Sequence, residues 1–565
     1  MRKTLRPNTP VKLARRLLRP CTRIGNCRTL AVLCLIACWE FCSVLLSASV
    51  TQNGGPPASW TCASVASAQD PPAAVQARDQ DAVQHPAVSS STGKTQRADE
   101  VPEKATTYQD AIIAHMQYVT ENSYDEEGDV ETPMWLATID LKTNRLPKSQ
   151  QPRTPRWSTF ATAPAGASLF WDQPTFAAAC ELSKRTGCKC YTDALELYAQ
   201  SYFDACTDEE TGVLWWGSEH YYDVIRDKPA GAEDQSFDLA RTPAWQTLWS
   251  VDRSIVERQI RSMSEVRDLH PDSSIEPEWV LIESLSWLAE KDVANPQSLR
   301  DQAATIVQDR VAKRHPKTGL IETASLLSPA ARTALTNGDA SDRDQTSTAP
   351  LGHWINGLLN TDAQSEPSQL EKVADEIASS WLTYGYDARE GLYFDTVQTS
   401  TGRPLPANER GEHASVFPSS KVTPLGEHTN DKVTMQSPLP MAEACLTLFE
   451  RTRKPVYRKA TERWIKHVQG SLPLENDKVA FVEDYGRVIH FLARAGTVLD
   501  DDLSRRLAKQ IADESMKLFY APRLGMFRSH SGEDRCDSVD GIGYLLLALL
   551  SLEGPITTAD SSFHF

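Results

Sequence analysis

Three short segments of this 565-residue chain concentrate side chains that can transfer protons or bind charged ligands. The first, residues 215–223, reads WWGSEHYYD and contains His220 and Tyr222, an imidazole and a phenol that can serve as base and acid. Glu219 and Asp223 in the same segment can bind a metal or serve a hydrolase. Neighbouring aromatic side chains can act as platforms for sugar rings: Trp215, Trp216 and Tyr221. The alternative is an aromatic-rich turn with solvated charges.

The second segment, residues 482–490, reads VEDYGRVIH. At about 100° per residue, Glu483, Arg487 and His490 share one stripe of a helix, and apolar residues share the opposite stripe. Such a helix can turn its charged stripe into a cleft. The alternative is an exposed face with an i,i+4 ion pair, which is worth only about 0.3–0.5 kcal/mol.

The third segment reads RSHSGEDRCDSVDG and begins at Arg528, directly before an apolar run. Its acids can cap the following helix and suit the positive end of that helix. Capping leaves Arg528, His530 and Arg535 without an explanation. The sequence therefore predicts that Arg528 or His530 shares a pocket with His220 or Glu483, where it can meet an anionic sugar.

The elements that must position these segments are helices with a recurring turn between them. Apolar residues recur with a 3.6-residue period over much of the chain after residue 107. A polar turn, a glycine and alternating apolar residues then recur as DEETGVLWWG (208–217), HPKTGLIETA (315–324), DAREGLYFDT (387–396) and PRLGMFRSH (522–530). Each glycine is expected to close a helix in the left-handed conformation.

Repeats at intervals of tens of residues indicate stacked supersecondary units. The pattern predicts an all-α fold, an (α/α) toroid that is an incomplete or closed barrel of about six to seven helical hairpins. Short extended segments follow the helices, and the inner helices surround an axial cleft.

One stretch also resembles a known family. The segment GVLWWGSEHYYDV and the later FDLARTPAWQTLWSVDRSIVERQI resemble family 2 pectate lyases, which are (α/α)-toroid carbohydrate enzymes, over about residues 165–300. That family cleaves pectate by β-elimination, with a divalent transition metal held by two His and a Glu and with Arg as base. The resemblance implies His220 and Asp238 as metal ligands. Asp238 stands where the family has Glu, Phe237 replaces the neighbouring His, and the family's later Arg-His pair has no clear match.

The amino terminus predicts export. Residues 1–28 carry nine Lys or Arg and no acid, and the apolar run Leu30 to Val50 follows. Cleavage after Ala68, retention as a membrane anchor and lipidation at Cys38 are alternatives, and each places the body outside the cytoplasm. The predicted divisions are an export signal or membrane anchor (1–50), a disordered linker (51–106), the toroid domain (107–556) and a C-terminal tail (557–565).

Net charge limits the possible binding partners, and cysteine spacing limits the possible metal sites and disulfides. The chain has a formal net charge of -16, which the basic amino terminus partly masks, so the body repels phosphate backbones and nucleic acid is excluded as a partner. Six of the twelve cysteines lie in the first 62 residues. Cys188-Lys189-Cys190 is too short for a zinc knuckle and has no matching pair downstream, so it predicts buried thiols or one disulfide.

These observations predict an exported enzyme that acts on an acidic polysaccharide, a lyase that cleaves a uronate-containing polymer by β-elimination. Elimination needs a group that neutralises the uronate, a base and an acid. The predicted catalytic residues are His220, Tyr222, Glu483, Arg487, His490, Arg528 and His530. The predicted substrate-binding residues are Trp171, Trp215, Trp216, Tyr221 and Arg535, with a divalent metal ion at His220 and Asp238.

Two alternatives remain. A six-hairpin glycoside hydrolase would use two carboxylates, Glu219 or Asp223 together with Glu483 or Asp534. A non-catalytic glycan-binding or envelope scaffold protein would carry a degenerate site.

Overall fold

The computed structural model describes twelve stretches of the chain: 107–147, 165–217, 220–231, 243–269, 278–323, 344–361, 369–387, 392–394, 396–405, 439–470, 480–532 and 534–556. The predicted signal or anchor, the linker and the C-terminal tail lie outside these residues. Within the described part of the chain, no helix is long and apolar enough to cross a membrane.

Helices alternate along the chain between two layers. The outer helices carry odd numbers: α1 (Tyr108–Asn122), α3 (Cys190–Cys206), α5 (Arg253–Leu269), α7 (Pro296–Ala312), α9 (Gln369–Tyr384), α11 (Pro455–Gly470) and α13 (Asp502–Phe519). The inner helices carry even numbers: α2 (Gln173–Thr186), α4 (Trp245–Val251), α6 (Glu278–Leu288), α8 (Thr348–Thr361), α10 (Leu439–Thr452), α12 (Val482–Val498) and α14 (Ile542–Glu553).

Burial distinguishes the two layers. In α14 every residue from 542 to 550 is buried, and in α10 every residue from 439 to 449 is buried, because neighbours surround these helices on all sides. The outer helix α13 instead buries one stripe, which includes Leu507, Ile511 and Ser515, and exposes the opposite face. Apolar periodicity in the sequence therefore specifies which helices form each layer.

The inner helices pack against one another in sequence order. Helix α8 packs against α6 and α10, α12 packs against α10 and α14, and α14 packs against α2. Helix α1 covers α14 from outside, which brings the first described helix beside the last. Seven pairs of helices are thus present in the described residues, and the predicted (α/α) toroid of six to seven hairpins is confirmed.

Close approach of the inner helices depends on glycine. A Cβ atom on Gly543 would lie closer than 3.0 Å to the backbone of Pro174 and Thr175 in α2. A Cβ atom on Gly486 would lie 2.5 Å from the backbone nitrogen of Leu545 in α14. Both contacts are with backbone atoms, which cannot move aside without shifting a helix.

Short antiparallel strands occupy the connections between helices. They are β1 (Tyr124–Asp125), β2 (Thr132–Trp135), β3 (Thr138–Asp140), β4 (Gly166–Ala167), β5 (Tyr221–Asp223), β6 (Lys228–Ala230), β7 (Gln345–Ser347), β8 (Tyr386–Asp387), β9 (Leu392–Tyr393), β10 (Thr396–Gln398), β11 (Tyr520–Ala521), β12 (Met526–Phe527) and β13 (Arg535–Asp537). Strand β5 lies between β4 and β6, while β13 pairs with β3 and joins the two ends of the described chain. The predicted short extended segments are confirmed.

The glycines of the recurring turn have a different role from the one expected. Gly212, Gly319 and Gly525 do have positive φ, at 64°, 72° and 67°. However, α3 ends at Cys206, and Gly212 closes a turn in which its N–H donates to the carbonyl of Asp208. The left-handed residue therefore belongs to the connection that follows the helix, and the prediction of a helix cap is wrong.

Candidate active site

The inner helices bring ionisable side chains together near their amino-terminal ends. Six residues from the first three turns of four inner helices form what we call the axial cluster: His353 (α8), Glu443 (α10), Glu483, Arg487 and His490 (α12), and Tyr544 (α14). Because inner helices are connected through outer helices that return the chain, their amino-terminal ends gather at one end of the toroid. The positive ends of several helix dipoles therefore meet at this cluster.

Arg487 is the centre of the axial cluster. Its Nε lies 3.0 Å from Oε1 of Glu483 one turn earlier, and its guanidinium carbon lies 4.2 Å from the ring centroid of Tyr544. The side chains of Arg487 and Glu483 are each 12% exposed, so this ion pair does not lie on a solvated helix face. Burial opposes the charge of Arg487, but Tyr544, Glu483 and Glu443 outweigh burial and raise its pKa. The arginine is therefore a permanent cation.

Glu443 is a carboxylic acid in an otherwise apolar stretch of helix. Only 7% of the residue is exposed, and Oε1 is buried with no hydrogen-bond partner among the described residues. Burial raises its pKa from 4.5 to about 7, although Arg487 and Arg494 oppose this shift. Near neutral pH a large fraction of Glu443 is therefore protonated, as a general acid requires.

Two histidines of the axial cluster are uncharged. The ring of His353 stacks on Trp279 of α6, with centroids 5.6 Å apart and an interplanar angle of 10°. Burial and the charge of Arg487 lower the pKa of His353 to about 3, and Glu483 opposes them. Burial, Arg494 and Arg487 lower the pKa of His490 to about 3 as well. At neutral pH each imidazole offers one donor and one acceptor without a charge.

The first predicted segment is placed around the strand β5. His220 is 2% exposed, and its ring centroid lies 5.2 Å from that of Trp215. Its backbone N–H donates to the carbonyl of Gly217, which holds it in the turn before β5. Burial raises the pKa of Tyr222, and Asp227 and Asp125 raise it further. Tyr222 consequently keeps its proton at neutral pH.

The aromatic residues predicted to bind sugar are divided between core and surface. Trp216 is 3% exposed, stacks on Trp245 at 5.6 Å and meets the edge of Phe170 at 5.8 Å. Trp171 is also buried and meets Phe170 edge-on at 5.1 Å. These rings pack in the hydrophobic core. Tyr221 is half-buried and lines a small depression at β5.

The third predicted segment lines an open depression of about 570 Å³. Arg528 Nε lies 2.6 Å from Oδ1 of Asp534, and Lys142 Nζ lies 3.1 Å from Oδ2 of the same carboxylate. These ion pairs lower the pKa of Asp534. Arg535 lines the same depression. Arg528 and Arg535 therefore lie at a wet, polar surface.

The rest of this segment runs back to the start of α12. His530 is 3% exposed, its Nδ1 accepts the N–H of Gly532 at 3.1 Å, and its ring centroid lies 5.5 Å from that of Phe481. Farther along, a Cβ on Gly541 would lie 2.9 Å from the side chain of Glu483. Gly541 occupies the N-cap position of α14 with φ 70°, directly after the acids that were predicted to cap this helix. The segment thus borders the axial cluster through Gly541, and His530 contacts Phe481 directly before α12.

The predicted metal site lies partly outside the described residues. Asp238, its second proposed ligand, lies outside them, as does Glu219. Within the described stretches, no group of three His, Cys, Asp or Glu side chains could hold a metal ion.

Sequence reasoning missed Glu443 and Tyr544. The signal for Glu443 was available, because LPMAEACLTLF is apolar all round except for one carboxylate. A buried charge is costly unless it is paired or neutral, so a single acid in such a helix marks a functional candidate. Tyr544 gives a similar signal, because it has the one polar side chain in the apolar run IGYLLLALL.

Comparisons with known proteins give distant structural similarity. No family model matches the chain, and no curated protein matches it. The unsaturated glucuronyl hydrolase of Bacillus sp. GL1 is similar with a TM-score of 0.41 and 14% identity, over 68% of this chain and 98% of that chain. The α-1,6-mannanase GH76A of Salegentibacter sp. HEL1_6 gives 0.41 and 10%, over 79% and 99%.

A third similar structure is the cellobiose 2-epimerase of Bacillus thermoamylovorans B4167, with a TM-score of 0.42 and 9% identity over 78% of this chain and 97% of that chain. Similarity this weak says nothing about the reaction of this chain. The resemblance to family 2 pectate lyases has no support from a family match.

Proposed function

We propose that the protein is a carbohydrate-active enzyme that hydrolyses a glycosidic bond at the axial cluster. The proposal is based on two carboxyl groups on neighbouring inner helices, Glu443 and Glu483. The charge of Arg487 influences both. Glu443 is buried with a pKa of about 7, whereas Glu483 is ion-paired with Arg487 at 3.0 Å. Glycoside hydrolysis uses one protonated and one ionised carboxyl group.

Each residue of the pair has a distinct task. Glu443 donates its proton to the glycosidic oxygen as the bond between that oxygen and the anomeric carbon breaks. The carboxylate of Glu483, whose ionised form Arg487 favours, stabilises the positive charge that develops on the sugar ring. Water supplies the hydroxyl group at the anomeric carbon, and its remaining proton passes to Glu443, which becomes an acid again. The products are two sugars, and the enzyme is restored.

The surrounding groups suit a sugar. His353 and His490 are neutral donors and acceptors that match hydroxyl groups. Trp279 is 8% exposed and stacks on His353, so it holds that imidazole in place beside the cluster. The two histidines then supply the polar contacts that fix the orientation of a hydroxylated ring.

The test replaces each carboxyl group by its amide. Glu443→Gln and Glu483→Gln are expected to lower the rate of reducing-end release from oligosaccharides and aryl glycosides by about 10²- to 10⁴-fold. Glu462→Gln is the matched control, because Glu462 lies on the outer helix α11, is 46% exposed and pairs along its own helix with Arg458. The control should keep its activity.

Equal activity of the two site variants and the control would overturn the proposal. Binding of oligosaccharides without any cleavage, by the unaltered protein, would identify a non-catalytic glycan-binding protein instead.

A lyase is a second candidate, and the contact between Arg487 and Tyr544 favours it. β-Elimination needs a cation to neutralise the uronate, and Arg487 is a buried cation with a phenol 4.2 Å away. Its charge is shared with Glu483, however, and a uronate would have to compete with that carboxylate. Absorbance of a new C4–C5 double bond during cleavage of an acidic polysaccharide would identify this reaction, since hydrolysis forms none.

We also propose that the enzyme is exported and acts on polysaccharide outside the cytoplasm. The support is the basic segment of residues 1–28 and the apolar run after it. Cell fractionation of a tagged full-length chain tests this, and recovery only from the cytoplasm would contradict it.

A further inference from the structure

The connection between α2 and α3 contains a disulfide that the proposed hydrolysis does not use. It joins Cys188 and Cys190, which are two residues apart. Both cysteines and the intervening Lys189 are exposed. The other cysteines of the described residues are buried thiols: Cys180, Cys206, Cys445 and Cys536. Among the described cysteines, only the two in this turn are therefore exposed to solvent.

This disulfide is poorly placed to stabilise the fold. The constraint that a disulfide puts on an unfolded chain grows with the length of the loop that it closes, and this loop is among the shortest possible. It links no two distant elements, because α2 ends at Thr186 and α3 begins at Cys190. Gly187, in the left-handed conformation at φ 69°, already ends α2.

The geometry favours release of one particular sulfur. Sγ of Cys188 accepts the backbone N–H of Cys190 at 3.3 Å, and this N–H is the first of the 17-residue helix α3. The free amides and the dipole at a helix start stabilise an anion there. Lys189 adds a cation between the two cysteines. A thiolate formed at Cys188 is thus stabilised more than one formed at Cys190.

We propose that Cys188–Cys190 is a thiol–disulfide exchange site for a low-molecular-weight thiol such as glutathione. The external thiolate attacks Sγ of Cys190, a new S–S bond forms, and the Cys188–Cys190 bond breaks with its electron pair on Cys188. A second thiolate attacks the external sulfur of this mixed disulfide and releases Cys190. Two external thiols are oxidised to one disulfide, the protein disulfide is reduced to two thiols, and two electrons are transferred.

The buried cysteines explain why exchange is confined to this turn. Burial raises the pKa of the Cys206 and Cys445 thiols to about 12, so these groups stay protonated at neutral pH. Only the thiolate is nucleophilic, and neither group is accessible. A thiol reagent applied to the folded protein should therefore label Cys188 and Cys190 before these two.

The experiment treats the folded protein with excess reduced glutathione, stops the reaction by alkylation and maps the products by peptide mass spectrometry. When the reaction is stopped early we expect glutathione on Cys190 with alkylated Cys188, and at completion we expect both cysteines alkylated. The thermal midpoint should stay within about 2 °C of the untreated protein. The double variant Cys188→Ser/Cys190→Ser should have the same midpoint. In Cys190→Ser, the remaining Cys188 should react with iodoacetamide at least about tenfold faster than Cys190 does in Cys188→Ser, since only Cys188 accepts the helix N–H.

Three results would overturn the proposal. The first is no reduction of this pair until the protein unfolds, and the second is a fall of the midpoint by more than about 5 °C on reduction or in the double variant. The third is equal alkylation rates in the two single variants. Glycosidase activity is not measured in any of these tests, so their outcome is independent of the proposed hydrolysis.

Discussion

The raised pKa of Glu443 leads to a quantitative prediction about how stability depends on pH. The carboxyl group binds its proton more tightly in the folded protein than in the unfolded chain, so the free energy of unfolding must change with pH. Its pKa rises from 4.5 to about 7 in the folded protein, mainly through burial. Each unit of pKa is worth about 1.36 kcal/mol, so the shift corresponds to about 3 kcal/mol. The residue is only 7% exposed, which leaves little solvent screening to reduce this figure.

The sign follows from proton binding. Between pH 4.5 and 7 the folded protein holds the proton of Glu443 while the unfolded chain has lost it. The stabilisation is therefore complete below pH 4.5 and disappears as the pH rises through 7. The amide in Glu443→Gln cannot ionise, so the free energy of unfolding of this variant minus that of the unaltered protein should grow by about 3 kcal/mol from about pH 4.5 to about pH 8.

Urea denaturation monitored by tryptophan fluorescence, at several pH values across this range, measures the difference. The lowered pKa values of His353 and His490 also make stability depend on pH, in the opposite direction. Both proteins contain these histidines, so their effect largely cancels in the difference. Glu462→Gln, at a 46% exposed site, should show no comparable trend. A difference between Glu443→Gln and the unaltered protein that stays constant with pH would refute the assignment of a buried, protonated Glu443.

Three further predictions concern packing and charge. Arg487→Met should lower the free energy of unfolding by about 3–5 kcal/mol because it leaves Glu483 buried without its cation. In a double-mutant cycle, adding Glu483→Gln should recover part of that loss, and additive effects would show that the pair does not interact. Gly543→Ala should lower the free energy of unfolding by about 1–3 kcal/mol because the added Cβ would clash with the backbone of α2. At Gly187 an added Cβ would have no atom within 4 Å, so Gly187→Ala should cost only about 1 kcal/mol, for its left-handed backbone. Equal effects of the two variants would contradict the helix contact. Arg185→Ala should cost about 3 kcal/mol because Arg185 donates to the carbonyls of Leu550, Gly554 and Pro555. Lys184→Ala, at an exposed position of the same helix, should cost less than about 1 kcal/mol, and similar losses from both variants would contradict this role of Arg185.

The sequence predicted what depends on local periodicity. The charged stripe of Glu483, Arg487 and His490 follows from helix geometry alone, because residues four apart on one helix must lie on one face. The toroid follows from repeated amphipathic helices, since each helix must bury its apolar face against a neighbour. Both were accessible without knowledge of long-range contacts.

The remaining features depend on which helix lies next to which. Glu443 belongs to the axial cluster only because α10 packs against α12, and nothing in its own segment reveals Arg487. Trp216 and Trp171 have the composition of a sugar platform, but a core also needs large aromatic residues, and composition does not distinguish the two. The prediction that these glycines cap helices was wrong for a related reason. A left-handed glycine suits a helix end and a turn equally well, so the sequence does not distinguish the two.

The protonation of Glu443 shows how the fold prepares the chemistry. Three effects act on this carboxyl group: the positive ends of the inner helices and the cations Arg487 and Arg494 favour the ionised form, and burial favours the protonated form. A helix dipole contributes about 0.3–1 kcal/mol, whereas the net rise of its pKa to about 7 corresponds to about 3 kcal/mol in favour of the proton. Burial is therefore the larger effect, because every residue of α10 from 439 to 449 is buried. Glu483, one helix away, is in direct contact with Arg487 and favours the opposite state. The same toroid thus holds one carboxyl group as an acid and the other as an anion, the division of roles that glycoside hydrolysis requires.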